Sequence, residues 1–350
     1  MSRRNQRGRF RIFLALLAML AGFAAYTAWH HYHAFADGPM AGIEPGETLV
    51  VHQGDSFAAV LDTIRDAGVG TGHDLEWQLL ARQLDAGGRI QVGEYALEPG
   101  QSPRELLVAM RDGDVLSYRF TIVEGWNIRQ LRAALARKQP LEQEAAGLDD
   151  DALMEALGHA GQHPEGRFLP ETYVYTRGDS DLDVLRRAYG AMERALAAAW
   201  EARADGLPLE TADEALVLAS IVEKETGAPE ERARIAGVFV RRLEKGMRLQ
   251  TDPTVIYGIE DYDGNITRAH LEQDTPYNTY VRAGLPPTPI AMPGVAALQA
   301  VANPAPGEAL YFVAMGDGSG RHLFANTLAE HQQNVRKYLA NYRAAQAKAR

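Results

Sequence analysis

Two glutamates, Glu223 and Glu225, close the apolar run LVLASIVEKE, and a turn sequence, Thr226-Gly227-Ala228-Pro229, follows directly. With Leu218 set at zero and about 100° added per residue of helix, Val217, Leu218, Ile221 and Val222 share one face. Glu225 falls at about 340°, in the middle of that stripe, and Glu223 at about 140°, almost opposite. A carboxyl on an apolar face loses hydration, which disfavours its charged form and raises its pKa. Such a group keeps a proton to donate, as the acid that cleaves a glycosidic bond must. Glu223, next to Lys224 and one turn from Ser220, suits an orienting or pairing role. The competing reading is a frayed helix end on which Glu225 is solvated and idle.

Residues 229–245 form a second expected helix, with Ile235, Phe239 and Leu243 at four-residue spacing and Gly246 as its stop. Its apolar face would support the first helix. The chain then turns polar at Gln250, Thr251, Asp252 and Thr254, side chains able to hydrogen-bond sugar hydroxyls or an N-acetyl group. Asp252 before Pro253 is equally ordinary turn chemistry. Tyr257 follows, and Tyr277, Asn278, Thr279 and Tyr280, with the Pro-stiffened GLPPTPI at 284–290, are expected to form a groove wall. Residues 165–175, EGRFLPETYVY, read as a loop whose aromatics either stack on a sugar or pin the loop to the core; both readings stay open.

These residues need a scaffold and a location. Residues 12–29, IFLALLAMLAGFAAYTAW, carry no charge and are just long enough to span a bilayer. Arg3, Arg4, Arg7, Arg9 and Arg11 precede them, which places the N-terminus in the cytoplasm and the remainder outside. An uncleaved anchor is favoured over a signal peptide because the apolar run exceeds an ordinary h-region. His30, His31 and His33 read as an interfacial belt, with no metal expected. The net charge of −10, with a basic N-terminus, argues against a nucleic-acid partner. The absence of cysteine removes disulfides and thiolate metal sites.

Residues 34–47 are rich in Gly, Pro and Ala and read as a linker. Strand and helix signals then alternate: strands at 48–52, 89–97 and 116–123, and helices capped by Ser56, Ser102 and Asn127. A polar, Ala-rich connector covers 139–163, and a helix is expected from 182 to about 203. Residues 309–315 and 322–325 read as a hairpin, in which His322 has no evident metal partner. Residues 328–350 read as a basic, solvated packing helix. No HExxH, P-loop, GxSxG or dinucleotide fingerprint occurs, and no cofactor is expected.

LASIVEKET, RRLEKGMRLQTDPTVIYGI, YNTY, GLPPTPI and YFVAMGDGSGRHLF together resemble the endolytic murein transglycosylase, or YceG-like, family. The resemblance implies an α+β protein with an N-terminal transmembrane helix, a LysM-like α/β subdomain and a mixed α+β catalytic domain. The boundaries it suggests are a basic cytoplasmic tail at 1–11, an anchor at 12–30 and a linker at 31–47. A LysM-like module with a following strand and helix would occupy 48–137, a hinge 138–164, the catalytic domain 165–340 and a second basic tail 341–350. It further implies a single-pass protein of the inner membrane with its catalytic domain in the periplasm, a lyase that cuts the β-1,4 bond between N-acetylmuramic acid and N-acetylglucosamine. Its partners would be glycan strands of peptidoglycan and peptidoglycan synthases, and its products 1,6-anhydro ends. The family's essential glutamate falls on Glu225. Arg167 stands where that pattern leads us to expect an apolar residue. A two-carboxylate muramidase using Asp252, and a silent glycan-binding scaffold, are the competing functions.

Overall fold

An uncharged apolar run has to find an apolar surrounding, and here the protein does not supply one. In the computed structural model, which describes residues 3–348, the N-terminus is one long helix, α1 (Arg3–Asp37). Within its stretch Arg9–Asp37 the most apolar 18-residue window has a mean hydropathy of 1.9, and none of that window's residues is buried. Leu16, Leu20, Phe23 and Trp29 all face outward. This is a candidate membrane anchor. The helix continues past the apolar run: residues 34–37, which composition assigns to a linker, form its last turn, and Phe35, Ala36 and Met40 are buried. The two outermost residues at each end, belonging to the expected basic tails, lie outside the described residues.

The chain divides into two units. In the first, β1 (Thr48–Val51) leads through α2 (Phe57–Asp66) and α3 (Asp74–Gln83) to β2 (Gly93–Ala96). The two strands pair antiparallel, Thr48 opposite Ala96 and Val51 opposite Gly93. Local chemistry fixes the helix starts. The Ser56 hydroxyl accepts from the Ala59 amide, and Ser102 and Glu105 form a reciprocal capping box at the head of α4 (Pro103–Asp112). Trp77, Leu80, Tyr95, Leu106 and Leu107 fill the core together with Phe35 of α1. β3 (Ser117–Thr121) leads out of this unit.

In the second unit, α5 (Ile128–Leu135) and α6 (Asp150–Ala156) precede β4 (Thr172–Thr176), which pairs with β3. Most of β4 falls within residues 165–175, which read from sequence as a loop. The Thr-Tyr-Val-Tyr-Thr alternation of the strand turns Tyr173 and Tyr175 inward, and Phe168 is fully buried, so these aromatics belong to the core. Arg167, likewise, makes a two-pronged ion pair with Asp213 at 2.7 and 2.9 Å.

The remaining elements are α7 (Asp181–Glu201), α8 (Ala212–Glu225), α9 (Arg232–Glu244), α10 (Asp252–Tyr257), α11 (Arg268–Glu272), α12 (Val295–Ala302), the hairpin β5 (Tyr311–Ala314) and β6 (His322–Ala325), and α13 (Leu328–Lys348). A single 3-10 turn, Pro229–Glu231, precedes α9 where the expected helix began. Every residue of α8 from Ala215 to Val222 is buried, so this helix is apolar all round and lies inside the packing of α7, α9, α10 and α12. A helix enclosed in this way has little freedom to shift the carboxylates at its end.

Candidate active site

Helix α8 ends at Glu225, with Thr226 already extended, and the carboxyl is delivered to the wall of a cleft of about 510 Å³. The connection from α9 to α10 contributes Gln250 and Thr251, the first residue of α10 contributes Asp252, the loop after α11 contributes Tyr280, and the hairpin contributes Tyr311 and Phe312. The Thr251 hydroxyl donates to Glu225 Oε1. Burial pushes the Glu225 pKa up to about 7 against that hydrogen bond, and the nearby charge of Asp252 adds to the rise. Glu225 is only half-buried as a residue, so its carboxyl is desolvated yet reachable from the cleft.

The polar segment that supplies Thr251 is held from below. Its Gln250 has φ of 49°, a left-handed conformation uncommon for a side-chain-bearing residue. The Gln250 amide donates to Thr279 O at 3.1 Å, the Thr251 amide to Thr279 Oγ1 at 3.1 Å, and the Thr254 hydroxyl to Thr251 O at 2.8 Å. Asn278 in turn donates to the carbonyls of His270, Leu271 and Gln273 and accepts from the Tyr280 amide. Thr254, Asn278 and Thr279 are buried. They shape the loop from behind and do not line the cleft.

Asp252 accepts from the Tyr280 hydroxyl at 2.6 Å. Burial, followed by this bond, raises the Tyr280 pKa well above the ordinary phenol range, so the hydroxyl stays a donor. A hydrogen bond to a charged group is typically worth about 1.5–3 kcal/mol. Replacing Tyr280 by Phe frees Asp252 and is expected to lower kcat/KM for the reaction at this cleft about ten-fold while lowering the melting temperature by only a few degrees. Steady-state kinetics beside a thermal melt checks both halves.

The other residues named from sequence are placed elsewhere. Glu223 does not line the cleft. Its carboxylate accepts from the Gly294 amide at 3.0 Å and lies 3.3 Å from Arg232. The Lys224 ammonium donates to Gly125 O. Ser220 donates to Val217 O and accepts from the Ile290 amide, tying α8 to the segment before α12. Tyr257 and Tyr277 meet edge to face at 4.8 Å between ring centroids, outside the cleft lining. Residues 284–287 of the Pro-stiffened loop border a separate depression with Pro208, Asp213 and Val217. Of the named set, therefore, Glu225, Gln250, Thr251, Asp252 and Tyr280 come together at the cleft.

Sequence reasoning missed several groups. Arg242, buried in α9, donates to the carbonyls of Leu249 and Leu310, both at 2.7 Å, and lines the cleft. His322, which has no evident partner in the sequence, bonds through Nδ1 to the Glu231 carboxylate at 2.8 Å, and its backbone amide also donates to Glu231. That leaves Nε2 as the ring nitrogen to meet a ligand. Leu328 and His331 also line the cleft, so the terminal helix is more than a solvated element. Two further carboxyls have pKa values raised by burial: Glu223 and Glu165, the latter also to about 7, which accepts from the Ile128 amide and the Tyr257 hydroxyl. Glu165 lies outside the cleft lining, where it braces α5 against α10. A raised pKa alone therefore does not single out Glu225; the raised pKa and the open cleft together do.

The fold and cleft define a mixed α+β protein, with a candidate N-terminal anchor, that presents one desolvated carboxyl to a polar, aromatic-walled groove. The sequence model of the YceG-like family matches residues 49–337, and the chain belongs to that family. It is 29% identical over 308 residues to a Bacillus subtilis protein named endolytic murein transglycosylase, covering 83% of this chain and 84% of the relative. A protein of the same name from Streptococcus pneumoniae is 27% identical over 326 residues, and the match spans 83% of this chain and 58% of that one. The crystal structure of a YceG-like protein from Listeria monocytogenes aligns with a TM-score of 0.53 at 26% identity, covering 82% of this chain and 98% of that one.

Proposed function

We propose that this chain is a lytic transglycosylase of peptidoglycan, a lyase, with Glu225 as its acid and then its base. The observation that carries the reading is the Glu225 carboxyl on the cleft wall, held by Thr251 and pushed up to about 7. The substrate is the β-1,4 bond between N-acetylmuramic acid and N-acetylglucosamine within a glycan strand. Protonated Glu225 gives its proton to the leaving O4 as the C1–O4 bond breaks. The muramic C6 oxygen bonds to C1, and the Glu225 carboxylate takes the C6 hydroxyl proton. The ring closes to a 1,6-anhydro end, no water is consumed, and the acid is restored.

Because the acid must start protonated, kcat/KM for cleavage is expected to be flat below about 7 and to fall about ten-fold per pH unit above it. Initial rates on un-crosslinked glycan strands, with the full chain in lipid vesicles, check this. Rates that rise through neutrality, or no turnover at any pH, would contradict the assignment.

Asp252, the second carboxylate of the cleft, supports a two-carboxylate hydrolase as the second reading. Its bond to Tyr280 favours a positioning role instead. In the wider reading, α1 is a single inner-membrane span with the N-terminal arginines in the cytoplasm, and the β-α-α-β unit is a LysM-like glycan holder. The catalytic unit works in the periplasm beside peptidoglycan synthases and ends strand elongation.

A further inference from the structure

We infer that α3 is a membrane-surface helix, which lays the first unit on the lipid headgroups with Leu75 and Leu79 inserted. The inference rests on reading α1 as the membrane span. Two ties join α3 to α1 just beyond the apolar run: His31 Nε2 lies 3.2 Å from Glu76 Oε1, and the Tyr32 hydroxyl donates to Gln83 Oε1 at 2.5 Å. Glu76 and Gln83 are two helical turns apart, about 10 Å, whereas His31 and Tyr32 are neighbours. A helix running along α1 would meet residues about seven apart. Helix α3 therefore crosses α1 steeply and lies near the bilayer plane when α1 spans the bilayer.

The ties also fix which face looks at the lipid. Trp77, Leu80 and Ala81 form the buried face of α3, and Trp77 packs edge to face on Phe35 at 5.6 Å between ring centroids. Phe35 is one turn farther from the apolar run than His31 and Tyr32. The core thus lies on the outer side of α3, and the opposite face of α3 looks back toward the membrane. At the centre of that face stand Leu75 and Leu79, 66% and 47% exposed, with exposed Arg82 alongside. Two leucines directed away from a protein core are costly in water, whereas at a headgroup boundary they are buried. An exposed arginine beside them suits lipid phosphate.

The chain has no cysteine, so single nitroxide labels report depth without background. The full-length variants Leu75→Cys, Leu79→Cys, Leu20→Cys on α1 and Val174→Cys on β4 would be labelled in vesicles of phosphatidylethanolamine and phosphatidylglycerol. The oxygen-to-nickel accessibility ratio at Leu75 and Leu79 is expected to exceed that at Val174 by at least ~3-fold, with Leu20 higher still. A lipid-exposed Leu20 with Leu75 and Leu79 as aqueous as Val174 would overturn the inference and leave the anchor standing. An aqueous Leu20 would overturn both. Spin–spin broadening between labels at Leu79 that disappears on dilution with unlabelled protein would assign the face to a second copy and overturn the lipid assignment.

Discussion

Glu225→Gln is expected to lower glycan cleavage about a thousand-fold, since the amide can accept the Thr251 hydroxyl as the carboxylate does but has no proton to give. The same change has a thermodynamic signature with a definite sign. The folded pKa of Glu225, about 7, lies above the ordinary glutamate value near 4.3, so between those pH values the folded state binds more protons than the unfolded one. That contribution is complete below the unfolded pKa and is lost as pH rises through the folded one. At pH 8 the charged, desolvated carboxylate therefore costs about 1–3 kcal/mol, and Glu225→Gln is expected to be more stable than wild type by that order. At pH 4 the two should be alike. Glu165 carries the same pH dependence in both proteins, so the difference between their stability curves isolates Glu225. Equal curves at pH 8, or activity kept by the Gln variant, would remove Glu225 from the role.

The largest loss of stability is expected at Arg232. Its guanidinium and the Glu223 carboxylate have side chains only 11% and 5% exposed, and burial raises the Glu223 pKa despite the Gly294 amide and the arginine. Removing one partner of such a pair strands the other charge, which typically costs about 3–5 kcal/mol. Arg232→Met is thus expected to lower unfolding free energy by about that amount. Adding Glu223→Gln should recover most of it, because glutamine still accepts from Gly294 and carries no charge. Denaturant unfolding of both single variants and the double variant measures the coupling. Strictly additive losses would show that the two side chains are independent and that the pair does not hold α8 to α9.

The position of Glu225 was legible because a helical period and an abrupt stop, Thr-Gly-x-Pro, are local signals. The surroundings of Glu223 were not. The wheel set it on the face away from the apolar stripe, but α8 is enclosed on every side, so that face is buried as well and its partners come from other elements. Glu231 and His322 are 91 positions apart, and nothing in either neighbourhood announces their meeting. Helix α10 went unread for a reason tied to the site. Thr251 stands at its N-cap, yet the Thr251 side chain is engaged with Glu225 and makes no cap, so the DPT sequence reads as a plain turn. Helix α12 likewise begins at Gly294 without a side-chain cap. The capped helices α2 and α4 of the first unit were legible in type, because Ser56, Ser102 and Glu105 state their own helix starts.

The most direct test of the central claim is the chemistry of the new ends. The full chain in vesicles would be incubated with un-crosslinked glycan strands and the products read by mass spectrometry. The account predicts 1,6-anhydromuramic ends that vanish with Glu225→Gln. Reducing ends, one water heavier, would contradict it and transfer the reaction to a hydrolase built on Glu225 and Asp252.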